Sequence, residues 1–131
     1  MKRRTAREKA LQALFQIDVS DIAPNEAIRH ALDEEKTDSF FEQLVYGVIE
    51  HQIQLDEMIS GHLVNWKLDR IANVDRAILR LAVYEMVYAD DIPANVSLNE
   101  AIELAKRFGD DKAAKFVNGV LSNIKTDIEQ S

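Results

Sequence analysis

The sequence predicts an all-α fold, two three-helix bundles packed as one compact domain, and three observations predict it. Apolar residues recur at helical spacing along nearly the whole chain, as amphipathic helices require. Four glycines and two prolines in 131 residues are too few for a turn-rich β fold. Short strings of the first half return in the second half in the same order, the mark of a repeated helical unit.

The elements follow in chain order. Thr5-Ala6-Arg7-Glu8 has the spacing of a capping box, with Thr5 capping a first helix and Glu8 reaching back. Ala10, Leu11, Leu14 and Phe15 then form one apolar stripe, and this helix is expected to fade near Ser20. Pro24 suits the first turn of a second helix with Ala27, Ile28, Ala31 and Leu32 inward. The acidic run Asp33-Glu34-Glu35 opposes the dipole at its C-terminal end and marks a stop. Thr37 is expected to cap a long third helix, whose stripe runs Phe40, Phe41, Leu44, Val45, Val48, Ile49, Leu55 and Ile59 before Gly61 weakens it. Residues 62–72 read as a connector with a short helical piece, and Trp66 in it as a core plug. Asn73 is expected to cap a fourth helix reaching about Tyr88. Apolar residues cover most of its circumference, so it belongs at the centre of the core, with Arg76, Arg80 and Tyr84 as its polar strip. Ser97-Leu98-Asn99-Glu100 is a second capping box, opening a helix that ends near Gly109. Asp110 or Asp111 is expected to cap the last helix, which turns Phe116, Val117, Val120, Leu121, Ile124 and Ile128 inward.

The repeat sets the organisation. Asn25-Glu26-Ala27-Ile28 returns as Asn99-Glu100-Ala101-Ile102, and Leu44-Val45-Tyr46-Gly47-Val48-Ile49 resembles Phe116-Val117-Asn118-Gly119-Val120-Leu121. Gln12–Ile17 resembles Leu81–Met86 at a similar offset. Two halves, residues 1–64 and 65–131, are therefore expected within one domain, and Gly47 and Gly119 would each admit a neighbouring helix at close range.

Composition narrows the function classes. The chain has no cysteine, which excludes disulfides and thiolate metal sites. It has no run of about 18 apolar residues that would span a membrane. Its charged N-terminus lacks the apolar segment of a signal peptide, so a cytoplasmic location is expected. His51 and His62 lie three helical turns apart, but no carboxylate completes a ligand set, and they read with His30 as surface histidines. Asp90-Asp91 and Asp110-Asp111 are adjacent pairs that cannot face each other on one helix face. No phosphate loop, nucleophile elbow or dinucleotide fingerprint is present. No catalytic residue, metal or cofactor is expected.

Sixteen basic against 23 acidic residues leave a net charge of −7, which taken whole argues against nucleic acid. The charge is uneven. Residues 1–17, 66–80 and 106–131 are net +4, +2 and +1, whereas residues 18–65 and 81–105 are net −9 and −5. Anions respond to local potential more than to the total. Lys2, Arg3 and Arg4 precede the Thr5 cap and Arg7 sits in the first turn, where cations oppose the helix dipole. A rule broken locally points to function. Lys106 and Arg107 end one helix and Lys112 and Lys115 open the next, so the turn at Gly109 should gather all four. Joined to the N-terminal island, they would make a phosphate-binding strip on an acidic body, the pattern of a single-strand binder.

The residues that carry these features also carry a resemblance. Arg3–Gln12 resembles the N-terminal signature of the NusB family of bacterial transcription antitermination factors. Asn99–Lys106 and Lys115–Leu121 resemble its two C-terminal signatures, and Asp75–Arg80 and Tyr84-Glu85 also fit, in order along essentially the whole chain. The resemblance implies two three-helix bundles and no catalysis. It implies binding of boxA, a short single-stranded element of ribosomal RNA leaders, together with NusE, which doubles as a ribosomal small-subunit protein. With NusA and NusG these would help RNA polymerase resist termination. RNA contact maps to Lys2, Arg3, Arg4 and Arg7 and to Lys112, Lys115 and Phe116, and NusE contact to Asp75, Arg76 and Arg80. The chain departs from the family at Ala113-Ala114, where polar side chains are common, and at Phe15, where tyrosine is frequent. A similar domain begins one family of RNA methyltransferases; no methyl transfer is expected of this chain.

Overall fold

The computed structural model describes residues 1–131 as seven α-helices. They are α1 (Arg3–Ser20), α2 (Pro24–Leu32), α3 (Ser39–Glu50), α4 (Gln52–Ser60), α5 (Asn73–Tyr88), α6 (Ala94–Phe108) and α7 (Ala113–Gln130), with a 3-10 turn at Leu68–Arg70 before α5. The all-α expectation holds. Helices α1, α2 and α3 pack on one another, as do α5, α6 and α7, while α1 and α3 lie against α5. Helix α4 crosses over to pack on α5 and α7.

Helix α5 holds the centre because it has almost no solvent face. Ten of its sixteen residues are buried, including Asp75, Arg80 and Glu85. One continuous apolar core runs from Ala6 on α1 through Phe41 and Ile78 to Ile124 on α7. Gly47 allows the closest approach: the ring of Tyr84 occupies the space a Cβ would need, so α3 and α5 meet almost backbone to ring. Gly119 does not repeat this. Nothing lies within 4 Å of its missing Cβ, and the residue is exposed.

The expected long third helix is two. It turns at His51, whose backbone leaves the helical region at φ −105° and ψ 14°. The His51 ring donates from Nδ1 to the Gly47 carbonyl at 2.9 Å and lies tilted by 31° against the Tyr88 ring of α5, centroids 3.9 Å apart, so a local bond and a tertiary contact together hold the bend. The apolar stripe still continues, with Leu55 and Ile59 buried beyond it.

Most expected caps shift by a few residues. Helix α1 starts at Arg3 with no side-chain cap, so Thr5 lies inside its first turn and Glu8 pairs with Arg107 instead. Asp38, not Thr37, caps α3, accepting from the Phe41 amide at 3.1 Å. Asn73 is the first helical residue of α5, after Ala72. Helix α6 begins at Ala94 behind Pro93, which leaves Ser97 buried in its interior. Asp110 steadies the entry to α7 by accepting from the Lys112 amide at 3.0 Å, although the helix starts at Ala113. Trp66 is not a core plug. It stands 59% exposed on the connector.

Candidate nucleic-acid interface

The N-terminal cations divide into two kinds. Lys2, Arg3 and Arg4 are exposed at the mouth of α1. Arg3 pairs with Asp91 at 3.4 Å and lies over the Phe40 ring, 4.4 Å from its centroid. Arg4 forks onto Glu100 at 3.1 and 3.3 Å. Both side chains stay more than half exposed. Such surface pairs are worth at most about 1 kcal/mol, so a phosphate can displace the carboxylate. Arg7 is different, and the expectation that it offers its guanidinium to RNA is corrected. Arg7 is 3% exposed, and it donates two hydrogen bonds of 2.8 Å to Glu85. The Ser97 hydroxyl donates to the same carboxylate at 3.1 Å. Arg7 therefore fastens α1 to α5 beneath the exposed arginines.

The second group sits at the start of α7. Lys112, Lys115 and Phe116 line one groove with Trp66, His62 and Asn123. Neither lysine forms an ion pair within 4.0 Å, whereas Lys106 and Arg107, expected beside them, are taken by Glu103 and Glu8. The Arg107–Glu8 pair ties the end of α6 to α1, and no hydrogen bond or ion pair joins Lys2–Arg4 directly to Lys112–Lys115. Phe116 is half-buried, packed on the core by one side and facing the groove by the other. At the far edge His62 donates to the Met58 carbonyl at 2.8 Å and to Asp127. The Met58 carbonyl chiefly, with Asp127 added, raises the His62 pKa above its ordinary value, outweighing partial burial.

Asp75, Arg76 and Arg80, to which the family resemblance assigned the NusE contact, point in different directions. Asp75 is 8% exposed and turned toward the α6–α7 turn, near Gly109. Its Oδ1 has no hydrogen-bond partner, and burial, with the nearby Asp110 carboxylate, pushes its carboxyl above the usual range. Arg76 and Arg80 point the other way. Arg76 donates to Asp18 at 2.7 Å and to the Leu68 carbonyl at 3.2 Å. Arg80 forks onto Asp56 at 2.7 and 3.0 Å. The two arginines thus tie α5 to α1 and α4. Sequence spacing could not reveal this, because the acids that claim them are 58 and 24 residues away. No group of three histidine, aspartate or glutamate side chains is placed to hold a metal ion, and no helix is long and apolar enough to cross a membrane.

Comparison with known proteins bears on this surface. A family model described as the NusB family matches residues 4–126. The chain is 95% identical over 129 residues to the transcription antitermination protein NusB of Bacillus velezensis, covering 98% of this chain and 99% of that protein. It superposes on T. maritima NusB with a TM-score of 0.89 at 37% identity, over 97% of this chain and 92% of that one. A crystal structure of antitermination factors NusB and NusE in complex with double-stranded RNA matches with a TM-score of 0.85 at 32% identity, over 95% and 96% of the two chains.

Proposed function

This chain belongs to the NusB family, and from that premise we propose that it is a transcription antitermination factor that binds boxA RNA of ribosomal RNA leaders together with NusE. In this reading it is a non-catalytic adaptor of the cytoplasm, and the assembly, with NusA and NusG, helps RNA polymerase resist termination. The observation that carries RNA binding is the pair Lys112 and Lys115, both exposed on the groove of Phe116 and neither in an ion pair within 4.0 Å. Two unpaired cations side by side raise the local potential that draws an anion. Lys2, Arg3 and Arg4 supply further phosphate contacts, and Arg7 holds their helix in place. NusE is read onto the surface over α5, where Arg76 and Arg80 act indirectly by holding α5 against Asp18 of α1 and Asp56 of α4. A similar chain in complex with NusE and RNA supports the choice of partners.

The test is a titration of boxA RNA and a scrambled RNA, with and without NusE, at fixed salt. The expected result is a preference for boxA that tightens when NusE is added. Equal binding of both RNAs, with no gain from NusE, would sink the reading.

A further inference from the structure

Sixteen lysine and arginine side chains are spread over the chain, and all but six form an ion pair: Lys2, Lys36, Lys67, Arg70, Lys112 and Lys115. The last four of these gather on two segments far apart in sequence, the 62–72 connector and the start of α7. Trp66 lines a groove with three of them, Arg70, Lys112 and Lys115. It is 59% exposed, the largest side chain on the surface, and it forms the wall between two grooves. One holds Lys112 and Lys115, the other Arg70 and Lys112, and Phe116 lines both.

An exposed indole costs free energy in water and gives nothing to the core here. Neighbouring Asn65 adopts φ 67°, a left-handed conformation that a residue other than glycine seldom takes, and it sets the chain direction just before the indole. The acids nearby are few and placed to one side: Asp75 and Asp110 line only the groove that holds Arg70. The groove of Lys112 and Lys115 contains no acidic residue. A flat aromatic face, a second ring across the groove and unneutralised cations alongside match one ligand chemistry, a nucleobase with its phosphates. An acidic protein segment would find the cations but waste the rings, and an apolar segment would leave the lysines desolvated and unpaired.

We propose that Trp66 is a base-stacking platform, and that with Phe116 it clamps a nucleotide of single-stranded RNA whose flanking phosphates rest on Lys112 and Lys115. This rests on the RNA-binding reading above and extends the RNA path from α7 onto the connector. Stacking on a tryptophan face tolerates any base, so Trp66 contributes affinity and path, not sequence choice. Asp75, whose Oδ1 lacks a partner at the floor of the other groove, stays outside the clamp.

The chain has one tryptophan, so its fluorescence reports this residue alone. Two signals are read in one titration of the whole protein with a labelled boxA RNA: anisotropy of the RNA and emission of Trp66. Quenching of the emission with the same midpoint as the anisotropy is expected, and Trp66→Ala should weaken binding roughly 5- to 100-fold, with Trp66→Phe recovering most of it. A thermal melt checks that the alanine variant folds, and the quenching arm needs no variant. Full RNA binding by anisotropy, with Trp66 emission unchanged and the alanine variant binding as tightly as the parent, overturns the clamp and leaves the RNA reading standing. No anisotropy change with any RNA overturns both. Loss of NusE binding in Trp66→Ala, with RNA affinity intact, also overturns the clamp and assigns the indole to the protein partner.

Discussion

Glu85 accepts two hydrogen bonds from Arg7 and one from Ser97, so side chains of α1, α5 and α6 meet on one buried carboxylate. Removing one partner of such a pair strands a charge away from water. Arg7→Ala should therefore lower stability by about 3–5 kcal/mol, read from the urea midpoint. Among molecules that remain folded, its RNA affinity should equal the parent's, because the guanidinium is almost wholly buried and committed to Glu85. A tenfold loss of affinity in fully folded Arg7→Ala would return this residue to the RNA surface. Arg3→Ala and Arg4→Ala should behave in the opposite way, with RNA affinity reduced and the melt within about 0.5 kcal/mol of the parent, as for exposed substitutions.

At the scale of elements, two glycines on matching strings of the repeat make unlike contacts. Gly47→Ala drives a methyl group into the Tyr84 ring, and overpacking of this kind costs about 1–3 kcal/mol. Gly119→Ala meets open space on an exposed helix face, where alanine is favoured by about 0.5–1 kcal/mol. Thermal melts of the two variants should move in opposite directions. The His62 bridge links the ends of α4 and α7 and gives them a pH dependence. Its pKa is raised in the folded chain relative to the ordinary 6.5. The stability it adds is thus complete below about pH 6.5 and is lost as pH rises through the raised value. Differential stability between the parent and His62→Ala should narrow across that window, and a difference that stays constant from pH 5 to 9 would exclude the linkage.

For the whole molecule, the decisive quantity is how an acidic chain meets a polyanion. The net charge of −7 opposes RNA at long range, while Lys2, Arg3, Arg4, Lys112 and Lys115 attract it locally. With about five phosphate contacts, log K should fall with log salt at a slope of roughly −3 to −4. The double variant Lys112→Ala/Lys115→Ala should reduce the magnitude of that slope by about 1.4, measured by anisotropy at several salt concentrations. An unchanged slope would place the phosphates elsewhere.

The all-helical class, the approximate helix positions and most of the buried apolar faces follow from local spacing alone. The α5 stripe is apolar nearly all round, and the structure buries it at the centre. Pro24 opens α2 as its fixed φ suggests. Lys112 and Lys115 were legible as a basic start to α7, and the signatures at Arg3–Gln12 and Lys115–Leu121 were legible as a family pattern. Only the tertiary structure decided the rest. It split α3 from α4 through His51 and Tyr88, moved Ser97 from a cap to a buried donor, buried Arg7 against Glu85 and left Trp66 in solvent. The physical reason is common to these cases. A charge or a ring is committed by the partner that reaches it, and here those partners come from other elements, as Glu85 lies 78 residues from Arg7. Periodicity reports which face of a helix is apolar; only packing reports which polar atoms are already taken.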